Sequence, residues 1–437
     1  MKLSQVLPLE RNWTLAFVGA GGKTTALFQL AHEVKPSLVT TTTHLGAWQT
    51  RLADQYLALP LRAVANGLVF PLNSGVTLVT GPEESGRIQN LEDDVLTWLR
   101  ASCRERSIPL LIEADGARQL PLKAPGKNEP AIPDNCDAVM VVAGLSGLGK
   151  PLTPNTVHRP EIFSRLSGIP MGDPITSEGL YQVLNHPEGG VKNIPAGAKR
   201  YLLLNQADTP ELQDASKSLA LKILPTFETV VVASLLAGKV FEAIEPIAGI
   251  ILAAGDSQRF GSPKQILEWK GKPLVRHAVE AALGAGLSPI IIVTGKHAEI
   301  IIAALQDLPV IFKNNPDWKE GQSSSLKAGL NALPKETSAA IFLLADQPHV
   351  NSKVIRTLME KHWREKCLIS LPLVKGKRSN PVLFDKSLFP ELLKLTGDTG
   401  GRALFSNHPI SPIIWENEAL LMDVDTPDDY LKLIHGI

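Results

Sequence analysis

Short apolar runs of strand length alternate with longer stretches whose apolar residues recur at helical spacing, and the alternation runs the length of the chain. In the first half the runs fall at 15–18, 37–40, 110–113, 138–142, 201–204 and 229–233. In the second half they fall at 248–252, 289–293, 310–312, 339–344 and 368–373. Strands separated by helical stretches predict parallel sheets covered by helices. Each half opens with a strand that runs into a Gly-rich turn carrying a lysine, and ligands in open α/β sheets bind beyond the carboxyl ends of the strands. The pattern therefore predicts two three-layer α/β domains, over residues 1–240 and 247–437. The segment 235–246 reads as the end of a helix stopped by Pro246.

Composition narrows the classes of function. The chain has 437 residues, 44 Lys plus Arg against 44 Asp plus Glu, and no net charge. Nucleic-acid binding through phosphates needs a basic surface, so nucleic acid is set aside as a partner. Cys103, Cys136 and Cys367 are far apart and form no C-x-x-C pair, which argues against a disulfide framework or a zinc knuckle. The N-terminus is broken by Pro8, Glu10 and Arg11 before an apolar core develops, and no run reaches the roughly 18 apolar residues of a membrane span. A cytoplasmic protein with reduced thiols is the expectation.

The second half holds the most specific chemistry. The stretch I-I-L-A-A-G-D-S-Q-R-F-G-S-P-K at 250–264 ends a strand at Gly255 and carries Gly261, Arg259 and Lys264 in its loop. Glycines let backbone N–H groups approach phosphate oxygens, Arg259 can fork onto one phosphate, and Lys264 supplies a point charge. The bland reading is a surface turn with two solvated cations. A second run, A-A-I-F-L-L-A-D-Q-P at 339–348, delivers Asp346 to the sheet edge. That carboxylate either caps the next helix or binds Mg²⁺, which takes one or two carboxylates plus phosphate oxygens. The cluster M-D-V-D-T-P-D-D-Y at 422–430 adds Asp423 and Asp425, with Asp428 and Asp429 as first-turn helix partners.

With E-G-Q-S-S-S-L-K-A-G-L at 320–330, G-K-R-S-N-P-V-L-F at 376–384 and G-D-T-G-G-R at 397–402, this half resembles the molybdenum-cofactor nucleotidyltransferases (MocA- or MobA-like). The resemblance implies a Rossmann-like nucleotidyltransferase fold of the GT-A type. Guanylyltransferase relatives usually read L-A-G-G where this chain has Leu252, Ala253, Ala254 and Gly255, so Ala254 points to CTP. Carried over, Arg259 and Lys264 would hold the triphosphate, with Leu252 to Gly255 and Gly261 in the same loop. Asp346 and Asp425 would hold Mg²⁺, while Ser323, Ser324, Ser325 and Gly329 would line the nucleotide pocket. Asn380, Pro381, Asp398, Gly400, Gly401 and Arg402 would face the pterin. The implied reaction transfers CMP from CTP to Mo-molybdopterin and releases pyrophosphate, with Arg259, Lys264 and Asp346 catalytic.

The first half opens with L-A-F-V-G-A-G-G-K-T-T at 15–25. Gly19, Gly21, Gly22, Lys23, Thr24 and Thr25 supply the parts of a phosphate loop, although the first glycine of the full P-loop pattern is Phe17 here. The strand L-L-I-E-A-D-G at 110–116 brings Glu113 and Asp115 to its end, and L-N-Q-A-D at 204–208 offers Asn205 and Asp208 as readers of a guanine base, with Gln206 in place of the usual lysine. Each alone is as readily a capping or turn residue. Together with T-T-T-T-H at 40–44, N-E-P-A-I-P at 128–133 and V-H-R-P-E at 157–161, they resemble the YqeC-like accessory proteins of selenium-dependent molybdenum hydroxylases. The expectation is a P-loop NTPase-like domain binding ATP or GTP, in a chain that serves maturation of a client molybdenum hydroxylase. Two alternatives stay open: a cytidylyltransferase for another phosphorylated small molecule, and a cofactor-binding chaperone with nucleotide switches.

Overall fold

The apolar runs pair into a separate main sheet in each half of the chain. The computed structural model describes residues 1–7, 9–43, 45–59, 74–84, 87–256, 260 and 263–435, and these divide into two compact units, Met1–Ile244 and Glu245–Ile437.

In the first unit the strands are β1 (Thr14–Gly19), β2 (Ser37–Thr41), β3 (Gln55–Ala58), β4 (Val76–Thr80), β5 (Leu110–Glu113), β6 (Ala138–Gly144), β7 (Lys199–Asn205), β8 (Thr229–Ser234) and β9 (Lys239–Ile244). They form a sheet in the order β9-β8-β7-β6-β1-β5-β2-β4-β3. Every neighbouring pair is parallel except β8 with β9. β1 lies in the interior, and Leu15, Ala16, Phe17 and Val18 are all buried. That is why the run is continuously apolar: a parallel strand covered on both faces has no side to leave polar. Helix Lys23–Glu33 follows directly and buries Ala26, Leu27, Leu30 and Ala31 on one stripe, as an amphipathic helix must.

Segment 235–246 is not the end of a helix. Leu235–Ala237 is one short 3-10 turn, Gly238 takes φ +67, and Lys239–Ile244 returns antiparallel along β8. Gly238 is the hairpin signal, since a tight turn between antiparallel strands needs a positive φ. Strands β3 and β4 were not among the apolar runs read from the sequence, though V-T-L-V-T at β4 has the β-branched composition strands favour.

The second unit contains β10 (Ile247–Leu252), β11 (Ile290–Thr294), β12 (Ile311–Asn314), β13 (Ala339–Leu344), β14 (Ile369–Ser370) and β15 (Val382–Asp385), ordered β12-β11-β10-β13-β15-β14. The four strands from β12 to β13 are parallel, while β15 runs antiparallel to β13 and β14. The apolar run 368–373 is split: Ile369–Ser370 stays in the main sheet, and Pro372–Val374 joins a small sheet with Lys377–Arg378 and Ile413–Ile414. Pro372 has no N–H to carry the ladder on.

Both sheets bring the ends of β1 and β5, and of β10 and β13, to a shared carboxyl edge. Both units are mixed α/β domains with largely parallel sheets. Among the described residues, no helix is long and apolar enough to cross a membrane.

Candidate active site

In the second unit β10 and β13 end in register, with Leu252 opposite Leu344. Just beyond them Ala345 N donates to Leu252 O at 3.3 Å, so the segment from Ala253 and the one through Asp346 leave from neighbouring strand ends. The Asp423–Asp425 segment is tied to this edge by the backbone bond from Val424 N to Asp346 O at 3.1 Å. Lys264 stands between two carboxylates, with its Nζ 2.5 Å from Asp346 Oδ2 and 2.8 Å from Asp425 Oδ1. Burial works against the ammonium charge, and the two carboxylates overcome it, so the Lys264 pKa is raised. Asp423 is held by the amide of Gln347. Burial pushes its carboxyl pKa up against that bond, and the charges of Asp346 and Asp425 add to the rise.

The donor set suits a cation of a particular kind. Among the described residues none hydrogen-bonds the buried Asp346 Oδ1, and a buried anionic oxygen left unpaired is costly. Among the described residues no group of three or more His, Cys, Asp or Glu is arranged around one ion. Asp346 and Asp425 are carboxylates that could hold Mg²⁺, which takes one or two carboxylates and completes its shell with phosphates and water.

Next to these strand ends lies a cleft of about 490 Å³, within the range of small-molecule sites. Its lining includes Leu252, Asn380 and the run Asp398 to Arg402, which the sequence singled out, and Gln322 and Phe342, which it did not. Other candidates lie elsewhere. Ala253 and Ala254 are buried, and the Ala254 side chain belongs to the apolar core. Ser323 Oγ donates to Gly397 O at 2.7 Å, Ser324 Oγ donates to Gly321 O at 2.9 Å, and Ser325 Oγ accepts from the Asn315 amide at 3.0 Å. Those hydroxyls hold the Gly321 and Gly397 turns together. Gly329 is on the sheet-facing side of its helix rather than on the cleft: a Cβ there would sit 2.5 Å from Ile250 Cγ2. Pro381 follows Asn380 without lining the cleft. Arg259 and Gly261 lie outside the described residues, as does His44.

In the first unit the loop after β1 crosses Gly21 and Gly22 at φ +85 and +113 and enters the helix at Lys23. A Cβ at Gly21 would lie 2.3 Å from Gly144 N, so only glycine fits the approach. Lys23 is buried, donating to Gly19 O at 2.7 Å and pairing with Asp115 Oδ1 at 2.9 Å. Asp115 is also held by Lys123 Nζ at 2.7 Å, Lys123 pairs with Glu129 at 2.9 Å, and Arg159 grips both oxygens of Glu129 at 2.7 Å. Burial alone would raise the Glu129 pKa, but the bonds from Arg159 and Lys123 bring it down to about 2. Thr24 Oγ1 donates to Glu113 Oε2 at 3.0 Å, and burial raises the Glu113 pKa despite Lys23 and Thr24. Gly21, Gly22, Lys23, Thr24 and Thr25 line a cleft of about 670 Å³.

The expected base readers are turned to other tasks. Asn205 Nδ2 donates to Gly21 O at 2.7 Å and its Oδ1 accepts from Leu235 N at 3.0 Å, so both ends of the amide are engaged inside the fold. Asp208 accepts from Ser234 Oγ at 2.5 Å. Neither lines the cleft, whereas Gln206 does. In the Thr run, Thr40 and Thr41 are fully buried in β2, and Thr42 Oγ1 donates to Ala131 O at 2.7 Å. Trp48 and Gln49 fall outside every motif legible in the sequence, while Arg118, Lys123, Glu129 and Arg159 fall within motifs at 112–125, 128–133 and 157–161 that assign them no role. The spacing of the last three gives no local signal, and the nearest hint is L-P-L-K at 120–123, three residues beyond E-A-D-G at 113–116.

Residues 249–412 match the MobA-like NTP transferase domain and residues 15–161 match the YqeC protein family. Over its first half the chain is 31% identical across 207 residues to the uncharacterized protein YqeC of Escherichia coli, covering 45% of this chain and 77% of that protein. Over its second half it is 31% identical across 186 residues to the molybdenum cofactor cytidylyltransferase of the same organism, covering 42% of this chain and 92% of the relative. It is also 29% identical across 198 residues to the nicotine blue oxidoreductase of Paenarthrobacter nicotinovorans, covering 43% of this chain and 96% of that protein. The second unit is thus of the nucleotidyltransferase class. The chain belongs to the YqeC family over its first unit and to the MobA-like nucleotidyltransferases over its second.

Proposed function

We propose that the second unit transfers CMP from CTP to Mo-molybdopterin with release of pyrophosphate. The observation that carries this reading is the cluster of Lys264, Asp346 and Asp425 at the shared end of β10 and β13. It is supported by the likeness to a relative named for cytidyl transfer and by the L-A-A-G sequence around Ala254. Likeness alone spans more than one chemistry, since another relative is named an oxidoreductase. A lysine between two aspartates at the end of two parallel strands favours triphosphate chemistry.

In this reading the terminal phosphate of molybdopterin, already mostly ionised near neutral pH, needs no dedicated base. One of its oxygens forms a bond to the α-phosphorus of CTP. The bond from that phosphorus to the bridging oxygen breaks, and pyrophosphate leaves with the electron pair. Lys264 holds a triphosphate charge, and Asp346 and Asp425 would hold Mg²⁺, which when bound neutralises charge on the phosphate oxygens. Arg259, which the family resemblance assigns to the triphosphate, would add a second cation. The cleft bearing Asn380, Asp398 and Arg402 takes the acceptor.

The first unit, in the same proposal, binds ATP or GTP at its phosphate loop and couples it to handling of the finished cofactor for a client molybdenum hydroxylase. The test is pyrophosphate release by the full chain with Mg²⁺ and Mo-molybdopterin, comparing CTP, GTP, ATP and UTP. Release specific to CTP and dependent on the pterin supports the transferase. Release with CTP and a sugar or polyol phosphate in place of the pterin moves the reading to another acceptor.

A further inference from the structure

Trp48 leaves 55% of its surface open in the wall of the cleft that holds Gly21 to Thr25. Among the described residues lining this cleft it is the one aromatic side chain. A large apolar ring left in water inside a polar cleft is surface that a flat ligand would cover with gain.

The turn that carries the indole is fixed to the phosphate loop. Gln49, the next residue, is 7% exposed. Its Oε1 accepts from Gly46 N at 3.0 Å, and its Nε2 donates to Thr24 Oγ1 at 3.1 Å. Gly46 in turn backs the ring: a Cβ built there would lie 2.8 Å from Trp48 Nε1 and 2.9 Å from Cδ1. The indole is therefore held against one side of the cleft at a set reach from Thr24. The cleft also contains Arg118 and Gln119, consecutive non-glycine residues at φ +51 and +60. Such backbone is uncommon and persists where surroundings enforce it, often at ligand sites.

Asn205 and Asp208 have their polar atoms engaged with Gly21, Leu235 and Ser234 and do not line the cleft. From that strand end Gln206 alone among the three reaches the cleft lining, and its Oε1 already accepts from Ser146 Oγ at 2.6 Å, so a base in this cleft would meet chiefly a ring face. We propose that the Trp48 indole is the platform on which the base of a nucleoside triphosphate stacks when its phosphates occupy the Gly21–Thr25 loop, so that the site takes purine triphosphates with little distinction between adenine and guanine. The proposal rests on the reading of this cleft as a nucleotide site. Its physical basis is that every base has a π face, so stacking gives affinity without hydrogen-bond readout. The cleft volume of about 670 Å³ leaves room for a whole nucleotide.

The experiment measures equilibrium binding of ATP, GTP and inorganic tripolyphosphate to the full chain and to its Lys23→Ala, Trp48→Ala and Trp48→Phe variants. Binding lost in Lys23→Ala marks the first-unit site and separates it from any nucleotide held by the second unit. The expected result is similar Lys23-dependent affinity for ATP and GTP. Trp48→Ala should weaken both about ten- to a hundred-fold, Trp48→Phe should keep most of the affinity, and tripolyphosphate should bind all Trp48 variants alike. Unchanged ATP and GTP binding in Trp48→Ala would overturn the stacking while leaving the nucleotide site in place. An equal loss for tripolyphosphate would also overturn it, because the indole would then act by shaping the loop. Absence of any Lys23-dependent binding would remove the nucleotide site, and the proposal with it.

Discussion

Lys264 is the residue on which the second site turns, because it holds Asp346 at 2.5 Å and Asp425 at 2.8 Å in one place. Lys264→Met should lower turnover by a hundred-fold or more, the scale of removing one preorganised charge from a transition state, with far-ultraviolet circular dichroism unchanged. Asp346→Asn should abolish turnover while the protein still folds, and substantial remaining Mg²⁺-dependent activity would take Asp346 out of the metal site. In the first unit Glu129 gives a pH signature. Its carboxyl falls from 4.5 to about 2 in the folded chain, so the folded state binds this proton less readily than the unfolded one. Its contribution to stability is complete above 4.5 and is lost as pH falls toward 2. Glu129→Gln should therefore lower the urea midpoint of this unit at pH 7 and flatten its loss of stability between pH 5 and 3. Equal acid sensitivity in wild type and variant would contradict the pairing with Arg159 and Lys123.

At the scale of single elements, two side chains decide whether loop and helix sit where they do. Asn205→Ala would leave the Gly21 carbonyl and the Leu235 N–H without their partner, and orphaning buried backbone groups costs roughly 1–3 kcal/mol each. Gly329→Ala would drive a methyl against Ile250, with an overpacking cost of about 1–3 kcal/mol. Urea denaturation followed by tryptophan fluorescence reads both. The units that end β1 and β10 were legible in the sequence because all their signals are local: an apolar run, glycines where the backbone must bend, a lysine, then a helical stripe. The pairing of Lys264 with Asp346 and Asp425 was legible only in part, since D-V-D at 423–425 gave acids without saying that Val424 N would bind the Asp346 carbonyl. Gln322 and Phe342 in the cleft, and Lys123 with Glu129 and Arg159, come together only through tertiary folding, and no spacing in the chain reports it. The misread hairpin at Gly238 has a different cause, because K-V-F-E-A-I fits a short helix end as well as a strand until β8 supplies a partner.

For the whole molecule, the chain divides between Ile244 and Glu245 into units that each carry their own sheet and cleft. Fragments 1–244 and 245–437 should each give a cooperative melt when made alone, and loss of structure in either fragment would show that its core depends on the other. With zero net charge, activity should also lack the steep salt dependence of a protein that works on nucleic acid. The most direct test of the central claim follows the α-phosphorus itself: CTP labelled at that position is incubated with the full chain, Mg²⁺ and Mo-molybdopterin. The label should move into a pterin dinucleotide in step with pyrophosphate release, and Asp346→Asn should stop both. Label that stays in CTP or appears only as free CMP, with folded protein and intact pterin, would contradict the assignment of this site as a cytidylyltransferase.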